Sequence, residues 1–508
     1  MDRSVKATDW IAHHAILTPS KPACVDLASA RRRSYGEFNA RISALAGFLR
    51  TTLELEDGAR VLVLSKNDID VFEIQFACQR AGLIFVPVNW RLAEREIDFI
   101  ARDSAASVLF HGSEFGEVAE SLRDRGVVPH LVEMRCGRPS AYETCIATST
   151  PLAKNVERDD TDCWALIYTS GTTGHPKGAM ISYRMALYNA IGLCAAFDID
   201  GSSHGLVMLP TFHTGGLNVF ANPIFHRGGT NVVMRDFEPG AAIAAVTAAG
   251  SRITHMMAVP TMHAMLAAEP GFDGLAASRL RAIAVAGASC PTATIDAYER
   301  IGLQLRQCWG MTEAGPLGIL MPPHNPADKR GSSGLPGLFL EAAIAAADGC
   351  RAPDGEIGEL IVRGPVVTHG YWRREDANEQ SFDASGWFRT GDAAYRDEDG
   401  YYYVVDRWKD MYISGGENVY PAEIERVLHL AESVADCAVV GRPDGKWGEV
   451  GRAFIVAKDR SAIAEADLAA HCGRHLARYK IPKEFVFVDA LPRNASGKIL
   501  KQKLREAP

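Results

Sequence analysis

The stretch 169–178 reads Thr-Ser-Gly-Thr-Thr-Gly-His-Pro-Lys-Gly and follows an apolar run at 164–168. Glycine lets backbone N–H groups approach an anion closely, hydroxyl groups add donors, and Lys177 supplies a point charge. We interpret this segment as a strand that runs into a phosphate-binding loop. It is not a Walker A loop, because Gly178 rather than Ser or Thr follows the lysine. A solvated surface turn is the alternative, but it does not require so many hydroxyl groups and glycines.

Length and composition bound the class of protein. The 508 residues exceed one ordinary core and predict at least two domains, and 47% apolar with 23% charged residues is typical of soluble globular proteins. The net charge of −8 argues against a nucleic-acid-binding protein. Eleven cysteines without CxxC spacing favour reduced thiols in a cytoplasmic protein over a disulfide framework or a zinc site. We expect neither a signal peptide nor a transmembrane segment, since no sufficiently long apolar run occurs.

Strand-like and helical runs alternate over most of the chain. A buried strand is predicted at 60–64, a helix at 70–81 and the next strand at 83–88. This βαβ pattern predicts an α/β fold with a parallel sheet and helices on its faces. The pattern returns at three later places: 205–210, 229–249 and 280–287.

The pattern of strand-like and helical runs changes near residue 330. Short strands and glycine turns up to about residue 406 predict a smaller β-rich unit. Helical and strand-like runs return after Arg407 over about 100 residues, which is enough for a small α+β domain. We therefore predict an N-terminal domain over 1–406, with the β-rich unit at about 330–406, and a C-terminal domain over 407–508.

The segment 307–313, Gln-Cys-Trp-Gly-Met-Thr-Glu, is the second strong motif. The ring of Trp309 offers a face on which adenine can stack. Thr312 can donate to phosphate, and the carboxylate of Glu313 can hold Mg²⁺ against phosphate oxygens. The alternative is a tryptophan of the core followed by a Thr-Glu pair that caps a helix.

Three further segments are weaker when taken singly. His213 stands at the end of a predicted strand, beside two glycines, where it can lie over a pocket. The small residues of 286–289 allow a flat base to lie against the backbone, and Asp392 follows a tight turn where its carboxylate suits a ribose diol. The alternatives are an ordinary loop histidine, a close helix–strand crossing and a turn residue.

The order of these motifs resembles the adenylate-forming superfamily, which includes acyl- and aryl-CoA ligases, peptide-synthetase adenylation domains and luciferases. The resemblance runs from about residue 160 to about residue 500, and the texture at 414–425 and 472–483 is most similar to bacterial fatty-acyl-CoA ligases. It implies a large N-terminal domain of layered α/β sheets, a small β-rich unit and a mobile C-terminal domain.

The resemblance also implies the residues of the ATP site. The phosphate loop, an adenine-binding turn, the aromatic motif, a ribose aspartate and two C-terminal cations would bind ATP and AMP: Thr169, Ser170, Gly171, Thr172, Thr173, Gly174, Lys177, Gly287, Ala288, Ser289, Trp309, Gly310, Met311, Thr312, Asp392, Arg407 and Lys498. The family usually has tyrosine where Trp309 stands. The implied catalytic residues are Lys498, His213, Thr169 and Glu313, with Glu313 as the Mg²⁺ ligand.

For the acid, the resemblance implies a pocket lined by 212–219, 256–261 and 286–311, with His213 as a gate near the acyl carboxylate. The candidate lining residues are mostly apolar: Phe212, His213, Leu217, Val219, Met257, Val259 and Met311. An apolar slot predicts a medium- or long-chain fatty acid or an apolar aryl or cyclic acid. A dicarboxylate would require a buried arginine in the pocket wall, and none is among these candidate lining residues.

The remaining motifs lie in the predicted C-terminal domain. The resemblance implies a hinge at Lys409, about which the C-terminal domain rotates, and a Gly415-Gly416 loop that faces the pantetheine channel of coenzyme A. Lys498 would bridge the acid carboxylate and the α-phosphate during adenylation, where a cation stabilises the developing charge. In related bacterial ligases this lysine is acetylated, so an acetyltransferase and a deacetylase are further expected partners.

The sequence therefore predicts an ATP-dependent acid–CoA ligase, with ATP, Mg²⁺, coenzyme A and a small carboxylic acid as its ligands. An acyl-AMP ligase that loads a carrier protein shares every motif, although the chain has no appended carrier domain. A luciferase-like oxygenase shares the fold. A non-catalytic nucleotide sensor is the alternative of another class, but Lys498 and Glu313, which a sensor would be expected to lose, are both present. A homodimer stays open.

Overall fold

The computed structural model describes residues 5–169, 176–324, 326–414, 417–459, 464–493 and 499–507. The chain divides into two compact units. The first contains Met1–Glu341 and Val362–Phe388, and the second contains Ala342–Ile361 and Arg389–Pro508. This division differs from the predicted boundary after residue 406, because strands from the β-rich segment cluster with the C-terminal residues. The boundary itself stays a prediction.

The first unit is built on two sheets. The six-stranded sheet contains β3 (Arg60–Leu64), β4 (Ile84–Pro87), β5 (Ala106–Gly112), β6 (His130–Met134), β7 (Cys163–Thr169) and β8 (Lys177–Ser182), in the order β6-β5-β3-β4-β7-β8. The nine-stranded sheet contains β1 (Pro22–Asp26), β2 (Arg32–Ser34), β9 (His204–Val207), β10 (Thr230–Val233), β11 (His255–Ala258), β12 (Ala282–Val285), β13 (Leu305–Trp309), β14 (Ile319–Leu320) and β15 (Leu335–Pro336), in the order β15-β14-β13-β12-β11-β9-β10-β1-β2. Neighbouring strands are parallel except at the edges, where β2, β8, β14 and β15 pair antiparallel.

Helices cover both sheets and also separate them. They are α1 (Trp10–Leu17), α2 (Tyr35–Gly47), α3 (Ile69–Ala81), α4 (Glu94–Ser104), α5 (Gly116–Asp124), α6 (Ala141–Thr148), α7 (Tyr183–Phe197), α8 (Ala221–Arg227), α9 (Pro239–Thr247), α10 (Pro260–Ala267), α11 (Thr292–Arg300) and α12 (Glu375–Ser381). One core joins residues of α2, α3, α7 and α8 to strands of both sheets. The outer faces pack on α4 and α5 in one sheet and on α9, α10 and α11 in the other. The layered α/β architecture is therefore confirmed. None of the described helices combines the length and hydrophobicity that a membrane crossing requires.

The second unit carries two smaller sheets. The four-stranded sheet has the order β16 (Glu341–Ala345), β17 (Gly358–Arg363), β18 (Phe388–Arg396) and β19 (Tyr402–Arg407). The other sheet contains β20 (Tyr412–Ser414), β21 (Glu417–Val419), β22 (Val434–Asp444), β23 (Gly448–Ala457) and β24 (Glu484–Phe487). Its helices are α13 (Pro421–Leu428), α14 (Glu465–His475) and α15 (Lys501–Arg505). The predicted β-rich segment and the small mixed C-terminal region both occur.

Helix α3 lies in the layer between the two large sheets, and all its residues except Gln79 are buried. Its charged side chains are therefore paired. The carboxylate of Glu73 is fully buried and accepts from Arg41 Nε at 2.7 Å and from the hydroxyl of Tyr142 at 2.6 Å. Arg41 also makes two 2.9 Å bonds to Glu143. Pairing is required because an ionised group buried without a partner would strongly destabilise the fold.

A second buried charge cluster lies beside α3. Among the described residues, Asp26, Asp68 and Cys136 form the one group whose donor atoms lie close enough to hold a metal, within 4.8 Å of one another. Arg31, however, pairs with Asp26 at 3.2 Å and with Asp68 at 2.5 Å. The guanidinium supplies the cation that these carboxylates need, so the cluster is an ion-pair network.

Substitution of Glu73 tests the buried network. We expect Glu73→Gln to lower the free energy of unfolding by about 2 kcal/mol, because Arg41 and Tyr142 lose a charged acceptor in the interior, although Arg41 keeps its bonds to Glu143. Urea unfolding followed by tryptophan fluorescence measures the change. Glu120→Gln, which breaks an exposed pair with Arg123, is the control and should cost less than about 1 kcal/mol. Equal effects of the two substitutions would contradict the assignment.

Two histidines are buried with both ring nitrogens satisfied. In α10, His263 Nε2 donates to the carbonyl of Ala284 at 3.0 Å and its Nδ1 accepts from the hydroxyl of Tyr298 at 2.8 Å. In β11, His255 Nε2 donates to the carbonyl of Phe197 at 2.8 Å. Burial lowers the pKa of each ring to about 4. Both imidazoles are therefore neutral near pH 7.

Acid should destabilise the fold through these rings. The folded pKa is about 4 and the ordinary value is 6.5, so the unfolded chain takes up protons first as the pH falls. The stability that a neutral His263 contributes is present above pH 6.5 and is lost as the pH falls towards 4. We expect His263→Gln to reduce this loss by up to about 3 kcal/mol. Urea unfolding at several pH values measures it, with exposed His429→Gln as the control. An unchanged pH dependence in His263→Gln would refute the prediction.

Candidate active site

The phosphate-loop segment joins two antiparallel strands. Strand β7 ends at Thr169 and β8 begins at Lys177, and these two residues face each other in the ladder. The expected strand that runs into a loop is present, but the loop returns into a strand at the edge of the six-stranded sheet. Five predicted residues lie outside the described part of the chain: Ser170, Gly171, Thr172, Thr173 and Gly174.

The second motif forms a tight turn after β13. A Cβ atom at Gly310 would lie 2.1 Å from the carbonyl oxygen of Pro316, so only glycine fits this crossing of two backbone segments. Thr312–Ala314 forms a single helical turn, and Gly315 leaves it with φ of +68°. The two glycines therefore fold the chain back and bring Glu313 inward, where it is 4% exposed.

The carboxylate of Glu313 meets the end of the phosphate-loop strand. The Thr169 hydroxyl donates to Glu313 Oε1 at 3.1 Å, and the Tyr371 hydroxyl donates to the same oxygen at 3.0 Å. The backbone N–H of Thr368 donates to the carbonyl of Glu313 at 2.7 Å. The structure thus brings together two predicted site residues, Thr169 and Glu313, although they are 144 positions apart.

Tyr371 contacts two candidate site residues, and the sequence interpretation missed it. It pairs with Ala179 of β8 as an antiparallel bridge, and its ring centroid lies 5.3 Å from Lys177 Nζ. Its hydroxyl and its ring therefore contact two candidate groups, Glu313 and Lys177. The one signal in the sequence is the short Gly370-Tyr371-Trp372 run after a β-rich segment, and nothing in its spacing connects it with either motif.

Four of the predicted site segments lie at one edge of the nine-stranded sheet. Strands β13, β12, β11 and β9 are consecutive parallel neighbours, so their carboxyl ends lie side by side. Gly310 and Val259 directly follow β13 and β11, Gly287 stands two positions after β12, and His213 stands six positions after β9. This edge is the usual place for a ligand site in a parallel sheet.

The two segments of the predicted adenine site differ in their exposure to solvent. Gly287 turns with φ of +91°, and it is exposed together with Ala288 and Ser289. Trp309 is only 7% exposed, and its ring atom Cζ3 is 3.4 Å from the place where a Cβ atom of Gly318 would stand. This burial agrees with the alternative of a core tryptophan. The stacking of Trp309 on adenine stays a prediction.

His213 and its neighbours form an aromatic group. The rings of His213 and Phe212 are 4.5 Å apart, and Trp90 contacts Phe212 edge-on at 6.4 Å. Arg91 lies over the rings of Trp90 and Phe212, at 4.8 and 5.7 Å. Burial, with a smaller effect of the Arg91 charge, lowers the pKa of His213 to about 4. The imidazole is therefore neutral near pH 7.

The predicted acid-pocket residues are largely buried. Leu217 and Val219 lie on a single wide helical turn, Gly215–Val219, and are each 1% exposed. Val219 and Met257 belong to the same apolar cluster, against which Val259 packs. The turn also contains a buried amide that the sequence interpretation left out: Asn218 Nδ2 donates to Thr214 Oγ1 at 3.1 Å. The candidate lining segment is therefore mostly apolar and includes a buried polar side chain.

In the second unit, Asp392 and Arg407 are opposite each other in the antiparallel pair of β18 and β19. The carboxylate of Glu359 holds the Arg-Thr-Gly-Asp turn at 389–392, because it accepts from Arg389 at 3.0 Å and from the N–H of Gly391 at 3.1 Å. The predicted ribose residue and the predicted phosphate residue are therefore neighbours along the backbone. The side chains of Arg407 and Lys409 lie outside the described part.

The described residues that flank the Lys498 segment pair with each other. Residues 494–498 lie outside the described part, as do Gly415 and Gly416. On either side of 494–498, Arg493 pairs with Ile499 as an antiparallel bridge, and the N–H of Leu500 donates to the carbonyl of Pro492 at 2.8 Å. Arg493 is further tied to Asp436 at 2.5 Å.

Comparison with known proteins identifies the family. The AMP-binding enzyme model matches residues 11–372, and the AMP-binding enzyme C-terminal domain model matches residues 423–498. A feruloyl-CoA synthase of Amycolatopsis sp. is 39% identical over 98% of this chain and 98% of its own. A long-chain-fatty-acid–CoA ligase of Mycobacterium tuberculosis is 34% identical over 99% and 98%.

A solved structure agrees over the same length. The o-succinylbenzoate coenzyme A synthetase of Bacillus subtilis, in complex with ATP and magnesium ion, has a TM-score of 0.87 and 30% identity over 98% of this chain and 100% of that chain. The matches span every motif from the phosphate loop to Lys498. This chain belongs to the AMP-binding enzyme family, the adenylate-forming superfamily of ligases that its motifs resemble.

Proposed function

We propose that this protein is an ATP-dependent acid–CoA ligase that acts on an acid with an apolar body. In the first half-reaction a carboxylate oxygen bonds to the α-phosphorus of ATP, and the bond to the pyrophosphate oxygen breaks. In the second, the thiolate of coenzyme A bonds to the acyl carbon and AMP leaves. The observation that carries the proposal is the contact of Glu313 with Thr169. This contact brings the start of the phosphate loop and the proposed metal-binding carboxylate to one place.

The residues around Glu313 suit a magnesium ion. Mg²⁺ prefers hard oxygen ligands, and this carboxylate is buried and oriented by two hydroxyl donors. The bound ion would neutralise phosphate charge during the attack of one anion on another. Lys177 and the phosphate loop would hold the pyrophosphate part of ATP, and the Asp392–Arg407 pair would take the ribose and a phosphate.

Lys498 would supply the cation at the reacting centre. His213 is neutral because burial lowers its pKa to about 4, so it does not bring a positive charge to the acid. A lysine that bridges the carboxylate and the α-phosphate lowers the like-charge barrier. For the second half-reaction, rotation about Lys409 would withdraw Lys498 and bring the Gly415-Gly416 loop to the pantetheine arm.

An apolar acid fits the residues behind His213. Leu217, Val219 and Met257 are buried in the candidate pocket wall. Burial of apolar substrate surface against such a wall contributes about 0.8 kcal/mol per CH₂ group. The names of the relatives point to aryl-propenoic acids such as ferulate and to long-chain fatty acids. We favour the first class as the starting point for assays, because that relative is the more similar of the two.

Substitution of the lysine separates the two half-reactions. We expect Lys498→Ala to abolish acid-dependent exchange of pyrophosphate into ATP and to retain thioester formation from supplied acyl-AMP, because the cation serves adenylation alone. Exposed Lys503→Ala is the control and should keep both activities. If a folded Lys498→Ala enzyme lost both half-reactions equally, the assignment of two conformations would be wrong.

A substrate screen tests the acid class. Hydroxamate formation and AMP release are measured with acetate, straight-chain fatty acids, cinnamate-type acids, benzoate-type acids and a dicarboxylate. We expect kcat/KM for the best fatty or aryl acid to exceed that for acetate at least about 100-fold, since several buried CH₂ equivalents distinguish them. Activity confined to small acids would refute the apolar pocket. An absence of acid-dependent ATP consumption would favour the nucleotide sensor.

A further inference from the structure

We propose that Tyr371 is a positioning residue of the ATP site, which orients the carboxylate of Glu313 and the ammonium group of Lys177 towards the same metal-bound nucleotide. The inference rests on the proposed function, because it gives Glu313 and Lys177 their ligands. It adds a third member to the site, and it comes from a segment that neither strong motif contains.

The first observation is that two hydroxyl groups converge on one oxygen. Thr169 and Tyr371 donate to Oε1 of Glu313 at 3.1 and 3.0 Å. A carboxylate that accepts two bonds at the same oxygen cannot rotate about its terminal torsion without breaking both. The two oxygens are therefore no longer equivalent, and the plane of the carboxylate is fixed. A metal ligand needs such a fixed plane, because Mg²⁺ tolerates little deviation from octahedral geometry.

The second observation is that the same side chain supports the lysine. Lys177 Nζ lies 5.3 Å from the centroid of the Tyr371 ring, within the range of a cation–π interaction. The ring limits the directions that the flexible ammonium group can take. Because one side chain contacts both groups, a shift of Tyr371 would move the carboxylate and the cation together.

The third observation is that the backbone of Tyr371 is itself held firmly. Its N–H donates to Asn378 Oδ1 at 2.7 Å, and Asn378 Nδ2 donates back to its carbonyl at 3.2 Å. On either side, the N–H of Met180 donates to the carbonyl of Gly370 at 3.1 Å, and the N–H of Trp372 donates to the carbonyl of Gly178 at 2.8 Å. The tyrosine is thus built into the edge of β8, the strand that begins with Lys177.

Filling the space in the core would not by itself require the hydroxyl group. The ring is 9% exposed, and a phenylalanine would fill the same space. The hydroxyl is instead directed at a buried carboxylate that already accepts from Thr169. Replacement of the tyrosine by phenylalanine keeps the packing of the ring, removes one hydroxyl donor from the Glu313 carboxylate, and so changes the environment of the proposed metal ligand.

Direct binding of ATP provides a test that does not depend on turnover. Calorimetry measures the affinity for ATP with Mg²⁺ and with EDTA, for the wild type, Tyr371→Phe and Tyr371→Leu. We expect Tyr371→Phe to keep the affinity in EDTA and to lose about tenfold of the Mg²⁺-dependent gain, because one bond to a charged acceptor is removed. Tyr371→Leu should also lose about threefold in EDTA, because Lys177 loses its ring.

Tyr142→Phe is the matched control. It removes the same kind of bond, from a tyrosine to the buried carboxylate of Glu73, between residues that belong to neither motif. It should lower stability and leave the Mg²⁺-dependent gain intact. In pyrophosphate exchange, Tyr371→Phe should raise the Mg²⁺ concentration needed for half-maximal rate more than it lowers kcat.

Two results would overturn the proposal. The first is a Mg²⁺-dependent gain in Tyr371→Phe that equals that of the wild type. The second is an equal loss of affinity with Mg²⁺ and with EDTA, which would mean that Tyr371 only supports the fold. A wild-type protein that binds ATP and shows acid-dependent exchange, together with either result, would overturn this inference alone. A wild-type protein that binds no ATP under either condition would overturn the proposed function as well.

Discussion

The buried carboxylate of Glu313 is the constraint on which the rest of the candidate site depends. It links three segments that are distant in sequence: the turn after β13, the end of β7 at Thr169, and the 368–371 segment that adds to the edge of β8. These segments come from both large sheets of the first unit. A carboxylate can occupy this position only if its oxygens accept bonds, since burial without them is costly. The hydroxyl donors are therefore a condition of the fold as well as of the site.

The layered architecture imposes a second condition of the same kind. With a sheet on each side, helix α3 has almost no solvent-facing surface, yet it carries Glu73, Asp70 and Arg80. Each acid meets an arginine from outside the helix: Arg41 pairs with Glu73, and Arg31 pairs with Asp70 at 2.8 Å. Ion pairs of this type are poor sources of net stability, but their geometry is specific. They fix the orientation of the layer between the two sheets, and the site segments lie at the edges of those sheets.

The sequence predicts the strands and the motifs better than their connections. Hydrophobic runs place β3 at 60–64 as observed, and the glycines of 310 and 315 are where a reversal of the chain needs them. The return of the phosphate loop into β8 was not predicted, because an apolar run carries no sign of whether its partner is a helix or an antiparallel strand. Tyr371 could not be found for a related reason. Its role comes from a pairing with Ala179, 192 positions away, and no local pattern encodes such a pairing.

The supply of positive charge shows why the proposed chemistry needs distant residues. Adenylation joins two anions in a chain whose net charge is −8, so the cations must be local. His213, which the proposal places beside the acid carboxylate, is neutral because burial among aromatic rings, surroundings that also suit an apolar acid, lowers its pKa to about 4. An apolar pocket and a protonated histidine are thus mutually exclusive at neutral pH. The charge must come from a group that solvent keeps protonated until it is needed. A lysine side chain meets that requirement, and the proposed function assigns this role to Lys498.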